Sequence, residues 1–299
     1  MLDPDAARPP MPIIVGAPRS GTTLLRMMLD SHPELAIPPE TGFLALGRRF
    51  AGNGDSLRQA FFAALTQHPP EAPAWGDFGI SRESFQDALS RIEPFSPSEG
   101  FRAFYRLYAA SHAKPRYGDK TPLYCLHLDV IADVLPEARF VHLIRDGRDV
   151  ALSVRETWFA PGRDIETLAG RWRECVEAAR SNGRRVRHYL EVRYEELVED
   201  TADVLARVCD FLALSFHPHM LRYPERVPGR LAEHRDRLRP DGSVVASHST
   251  RLAQQRLAMQ PPDRSRALAW RRAMSEDERA RFESVAADAL RAFGYPTAD

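Results

Sequence analysis

Apolar positions along this chain switch repeatedly between an unbroken run and a helical period. Ile13-Ile14-Val15 is a continuous apolar stretch that suits a strand buried on both faces, and Leu24, Leu25, Met28 and Leu29 then recur at helical spacing. Ser31-His32-Pro33 closes that helix, because proline disfavours helical backbone at the residue before it. The same switch returns at Arg139 to Ile144, a second buried strand running straight into a helix that carries Ser153. Leu190 to Leu197 predicts a strand leaving toward an acidic turn, and shorter strands are predicted near Ala36 and from Arg116 to Lys120. Helices are predicted through Leu126, Val130 and Val134, from about Ile165 to Ala179 with Asn182-Gly183 as its stop, and from about Thr201 to Leu212. A last amphipathic helix opens on the capping box Ser275-Glu-Asp-Glu278, turns Phe282, Val285, Ala289 and Phe293 inward, and ends at Gly294. Strands alternating with helices in this way predict an α/β fold with a central parallel sheet flanked by helices.

Two stretches break the alternation. Residues 43–113 are rich in Phe, Ala and Pro, with breaks at Gly52-Asn-Gly54, His68-Pro-Pro70 and Ser96-Pro97, and read as a helical insertion. Its aromatics, Phe61, Phe62, Trp75, Phe85, Phe101, Phe104, Tyr105 and Tyr108, read as core, with the wall of a binding pocket as the alternative. From about 218 to 265 prolines, glycines and arginines predict loops and short helices, the pattern of a lid or binding loop.

Length and composition narrow the picture. The 299 residues with 43% hydrophobic content suffice for one domain spanning 1–299 with that insertion. Lys plus Arg (41) equals Asp plus Glu (41), so no overall charge draws the chain to nucleic acid or to a membrane surface, and any anion site is local. Cys125, Cys175 and Cys209 are odd in number and lack metal-ligand spacing, which points away from a disulfide framework and toward a reducing cytoplasm. The opening ten residues carry no apolar signal core, no later stretch approaches a membrane span, and no metal site is expected.

Chemistry concentrates at the turn after the first strand, Gly16-Ala-Pro-Arg-Ser-Gly21-Thr-Thr23. Such a loop turns successive N–H groups inward, and the helix behind it adds unpaired first-turn donors and a positive dipole end, so it suits a phosphate-like anion. In the P-loop of nucleotide hydrolases and kinases a lysine follows the second glycine, whereas Thr22 stands here and the cation sits inside the loop as Arg19. One helix further on, Glu40 can return to the strand ends where α/β sheets bind ligands. Lys120 closes a short strand, and Arg145 closes another eight residues before Ser153.

Pro18-Arg-Ser-Gly-Thr-Thr23 resembles the 5′-phosphosulfate loop of sulfotransferases that use 3′-phosphoadenosine 5′-phosphosulfate (PAPS), and Arg145-Asp-Gly-Arg148 followed by Ser153 resembles their 3′-phosphate element. The resemblance runs from about Pro12 to Tyr295 and is nearest to protein-tyrosine sulfotransferases and their bacterial relatives. It implies a P-loop-like nucleotide-binding fold with PAPS as co-substrate and adenosine 3′,5′-bisphosphate as product. Arg19, Ser20, Gly21, Thr22, Thr23, Arg145, Ser153 and Tyr194, the last by the adenine, are the implied nucleotide contacts. Arg19, Glu40 and Lys120 are the implied catalytic residues. Pro122 stands where cytosolic small-molecule sulfotransferases carry a histidine base, which moves the base to Glu40, with a histidine of the 217–248 segment such as His234 or His248, or water, as the other choices. The implied acceptor is a small molecule or peptide bearing a hydroxyl or amine. A divergent P-loop kinase and a non-catalytic nucleotide-binding module are the competing readings.

Overall fold

The computed structural model describes residues 8–52 and 54–298. Residues 1–7, most of the opening stretch without a signal core, and Asn53 of the Gly52-Asn-Gly54 break lie outside the described residues. Four strands form the central sheet: β1 (Met11–Val15), β4 (Asp119–Lys120), β5 (Ala138–Ile144) and β6 (Tyr189–Arg193), in the order β4-β1-β5-β6 and all parallel. A second small parallel pair joins β2 (Leu35–Ala36) to β3 (Arg116–Tyr117). The register sets Ile14 beside Lys120, Val15 beside His142, and Ile144 beside Arg193. All four strands therefore release the chain at one edge, the edge at which α/β sheets bind ligands.

Side-chain alternation divides the interior between the two faces of the sheet. Ile13, Val15, Phe140 and Ile144 face one core, shared with α7 (Ile165–Gly183), the insertion helices α2 (Gly54–Thr66), α3 (Arg82–Ser90) and α4 (Pro97–Ser111), and the C-terminal helix α13 (Glu276–Ala292). Ile14, Val141, Leu143 and Val192 face the other, against α1 (Thr22–Asp30) and α9 (Thr201–Phe211). The remaining helices are α5 (Leu128–Val134), α6 (Gly147–Arg155), α8 (Tyr194–Glu199), α10 (Val227–Leu231), α11 (His248–Gln255) and α12 (Trp270–Ala273). In the insertion, Phe61, Trp75, Phe85, Phe101, Phe104, Tyr105 and Tyr108 are buried and Phe62 packs against them, as core.

Three boundaries differ from expectation for physical reasons. The strand expected from Arg116 to Lys120 splits at Gly118, where a Cβ would lie 2.7 Å from the Pro12 carbonyl oxygen; the absent side chain lets β1 approach and moves the strand from the small sheet to the central one. The helix expected after Pro122 starts as a 3₁₀ turn, Pro122–Leu126, before α5. Tyr194 does not end a strand but opens α8. The 218–265 stretch holds 3₁₀ turns, α10, α11 and the hairpin β7 (Arg237–Leu238) and β8 (Val244–Ala246).

Candidate functional site

The loop between β1 and α1 is held open by backbone geometry. Gly21 has φ 96°, and a Cβ there would sit 2.5 Å from the Tyr194 ring, so only glycine lets that ring close over the loop. Arg19 adopts φ 70°, a conformation that non-glycine residues hold only where the surroundings impose it. No side chain caps α1, which leaves its first-turn N–H groups facing the loop. Behind them the Ser20 hydroxyl is buried with no hydrogen-bond partner among the described residues. A buried donor without a partner costs about 1–3 kcal/mol, and an anion in the loop would satisfy it.

The other strand ends add cations. Arg145 follows β5; its guanidinium lies 4.5 Å above the Tyr194 ring, donates to the Arg19 carbonyl (3.4 Å) and the Arg266 carbonyl (2.8 Å), and keeps a buried Nε without a partner. Arg19 donates from Nε to the Ser153 hydroxyl (3.1 Å) and from Nη1 to the Gln254 carbonyl (3.1 Å), so its side chain lies between the loop, α6 and α11. Burial lowers the basicity of Arg19, and the nearby charges of Arg145 and Arg266 lower it further. Like charges crowded on a buried wall favour an anionic ligand between them. Two unpartnered polar atoms, Ser20 Oγ and Arg145 Nε, fit a ligand with anionic groups.

Lys120 and Glu40 meet beside the loop. Lys120 is buried at the end of β4, donates to the Thr23 hydroxyl (3.3 Å), and pairs with the Glu40 carboxylate. Glu40 keeps 52% of its side chain exposed toward the cavity while Lys120 keeps 3%. Burial alone would raise the Glu40 carboxyl; the charge and hydrogen bond of Lys120, with the Arg237 charge behind it, outweigh that and hold it below its ordinary value. Lys120 moves down, chiefly through burial, with Glu40 opposing.

Next to Lys120, Asp119 is fully buried and accepts from Thr41 (2.6 Å), Tyr105 (2.8 Å) and Thr121 (2.9 Å). Burial pushes its carboxyl up from 3.8 to about 6, with those hydrogen bonds opposing. The folded chain therefore holds this proton more tightly than the unfolded chain, so the stability contributed is full below about pH 4 and is lost as pH rises to about 6. The stability of the wild type relative to Asp119→Asn should fall by about 2–3 kcal/mol between pH 4 and pH 7, measured by urea unfolding of both proteins at each pH. A difference that does not change with pH would mean that Asp119 titrates alike in the folded and unfolded chain.

These residues surround one cavity of about 980 Å³. Arg19, Gly21, Thr22, Thr23, Glu40, Lys120, Arg145, Ser153 and Tyr194 all line it, and Ser20 stands behind the loop. His234 lines it as well, while His248 lies outside and donates from Nδ1 to the His234 carbonyl (2.6 Å). The insertion reaches the cavity through His68, Pro69, Ala72 and Ala74 rather than through its aromatics. Sequence reasoning missed three further residues. Trp158 (50% exposed) and Phe159 (40%) follow α6 and give the cavity an apolar side, and Arg251 joins Arg237 on the wall of the 218–265 stretch. None of the three stands in a motif; the density of arginines after residue 218 was a signal for Arg251 alone.

Comparisons with known proteins bear on the family and the fold. Residues 10–218 match the sequence model of the sulfotransferase family. Nodulation protein NoeE of Sinorhizobium fredii is 31% identical over 227 residues, 67% of this chain and 49% of that protein. A putative protein-tyrosine sulfotransferase of Caenorhabditis briggsae is 27% identical over 224 residues, 71% of this chain and 68% of that one. The chain thus spans about half the length of NoeE. Among solved structures, the sulfotransferase domain from the curacin biosynthetic pathway superimposes with a TM-score of 0.62 at 20% identity, covering 97% of this chain and 99% of the other. The sulfotransferase domain from the Synechococcus PCC 7002 olefin synthase does so with a TM-score of 0.55 at 25% identity, covering 97% and 96%.

Proposed function

This chain belongs to the sulfotransferase family, and from that premise we propose that it moves a sulfuryl group from PAPS to a hydroxyl or amine of an acceptor, releasing adenosine 3′,5′-bisphosphate. The observation that carries this reading is the Lys120–Glu40 pair on the wall of the same cavity as an anion loop that has no lysine of its own. A nucleotide kinase of the P-loop class needs the lysine that Thr22 replaces. A module that only binds nucleotide would use Arg145 and Ser153 and have no use for a paired acid and base in the cavity.

Bound PAPS supplies the electrophilic sulfuryl group and the leaving nucleotide. The loop N–H groups, Ser20, Thr22 and Thr23 would hold its 5′ end, and Arg145 with Ser153 would hold its 3′-phosphate. Glu40 takes the acceptor proton at a carboxylate oxygen. Its depressed proton affinity keeps that oxygen free at neutral pH. Lys120 and Arg19 stabilise the charge that grows on the oxygen leaving toward the nucleotide, acting on a wall where buried cations are already fixed. Leu123, Trp158 and Phe159 suit the apolar body of a small-molecule or peptide acceptor. Among the described residues no helix is long and apolar enough to cross a membrane. A cytoplasmic site of action is part of the proposal, supported by three free, buried cysteines.

Transfer of label from sulfur-labelled PAPS to one class among phenols, sugars and lipids is the expected result; magnesium-dependent phosphate transfer from ATP would defeat the reading. Arg145→Ala should weaken binding of adenosine 3′,5′-bisphosphate by roughly 10- to 100-fold, the value of a charge-assisted hydrogen bond, and that of AMP much less, as read by calorimetry. Equal weakening of both ligands would assign Arg145 to the fold or to the 5′ end.

A further inference from the structure

His234 lies just after α10, is 3% exposed, and lines the cavity. Arg251 Nη2 approaches its Nδ1 at 2.9 Å. A guanidinium has only donors, so Nδ1 accepts and the ring proton of the neutral imidazole sits on Nε2. Burial holds the ring in that neutral form, the charges of Arg251 and Arg26 add to the effect, and Asp77 opposes it. The Nε2–H group is buried and has no hydrogen-bond partner among the described residues. His234 therefore cannot take a proton at Nε2, which removes it from the choice of base.

The groups around the ring set the charge of its surroundings. Asp77 accepts from both nitrogens of Arg251 (2.9 and 2.7 Å), from Arg237 Nη2 (2.9 Å) and from the Arg235 backbone N–H (2.9 Å), so one carboxylate answers two guanidinium groups. Glu40 is matched by Lys120. His234, Arg237 and Arg251 all line the cavity that Glu40 and Lys120 line, and Asp77 does not. Asp77, Glu40, Arg237, Arg251 and Lys120 together leave one net positive charge beside this donor, and the Arg26 charge that also reaches the ring adds to it. We propose that His234, flanked by Arg237 and Arg251, is a specificity-determining residue that holds an anionic oxygen group of the acceptor, a carboxylate or a sulfate or phosphate ester, near the hydroxyl that Glu40 deprotonates. This rests on the sulfuryl-transfer reading and adds to it the charge of the acceptor.

The test titrates the full chain, saturated with adenosine 3′,5′-bisphosphate, with 4-hydroxyphenylacetate and with its uncharged methyl ester. The wild type should bind the carboxylate at least about tenfold more tightly, as a charge-assisted hydrogen bond predicts. His234→Phe should bring the two affinities within about twofold, and His234→Gln, whose amide N–H can occupy the Nε2 position, should keep most of the preference. Equal affinities in the wild type, or no measurable binding of the carboxylate at millimolar concentration, overturn the proposal. So does a preference that survives His234→Phe in protein that still binds the bisphosphate. If His234→Phe fails to fold, Arg237→Gln decides in the same way, a lost preference supporting the assignment and a retained one overturning it. Failure of the sulfuryl-transfer reading is seen separately, as absence of bisphosphate binding before either phenol is added.

Discussion

Glu40→Gln should lower turnover by about 10²–10⁴ while leaving affinity for adenosine 3′,5′-bisphosphate close to that of the wild type. An acceptor hydroxyl is a poor nucleophile while it keeps its proton, and Glu40 is the carboxylate that opens onto the cavity beside the anion loop. The amide keeps the size and the contact to Lys120 but has no basic site. In the wild type, desolvation would raise the Glu40 carboxyl, but Lys120 and then Arg237 hold it below its ordinary value, so the base form is fully present at neutral pH. Activity should accordingly be lost at lower pH than an ordinary glutamate base would give, as pH falls through the depressed value. Single-turnover rates across pH 4–8 for both proteins check this. Turnover of Glu40→Gln within about threefold of the wild type, on an acceptor whose hydroxyl is not already acidic, would remove Glu40 from the mechanism.

Lys120→Met should cost about 10²–10³ in turnover, the usual loss when one fixed group that stabilises developing charge is removed. It should also move the acid limb of the pH profile upward. Lys120 is the largest influence holding the Glu40 carboxyl down, and burial, which raises it, remains when the ammonium is gone. The two residues act as a pair, so Glu40→Gln with Lys120→Met should cost clearly less than the product of the two single losses. A Lys120→Met protein that loses only acceptor affinity, with an unshifted acid limb, would make Lys120 a binding residue alone.

The parts of the fold that the sequence declares are those written in short-range pattern. Ile13 to Val15, the loop with Arg19 and Gly21, and the helix after it form one local unit, and β1, the loop and α1 occupy the expected positions. The break at Gly118 was not legible, because it depends on how closely the Pro12 carbonyl of another strand approaches. The acceptor side was less legible still. Asp77 and Arg251 are 174 residues apart, and nothing near either one in the chain announces the other. His234 reads as one histidine among several until Arg251 fixes which ring nitrogen bears the proton. Trp158 and Phe159 resemble core residues by type, and only the fold exposes them to the cavity.

The most direct test of the central claim is calorimetry of the wild-type chain with adenosine 3′,5′-bisphosphate, AMP and ATP, each with and without magnesium. The account predicts that the bisphosphate binds at least about tenfold more tightly than AMP, because Arg145 and Ser153 engage the 3′-phosphate that AMP lacks, and that magnesium does not change its affinity. Tighter binding of ATP than of the bisphosphate, or a magnesium requirement for either, would contradict it.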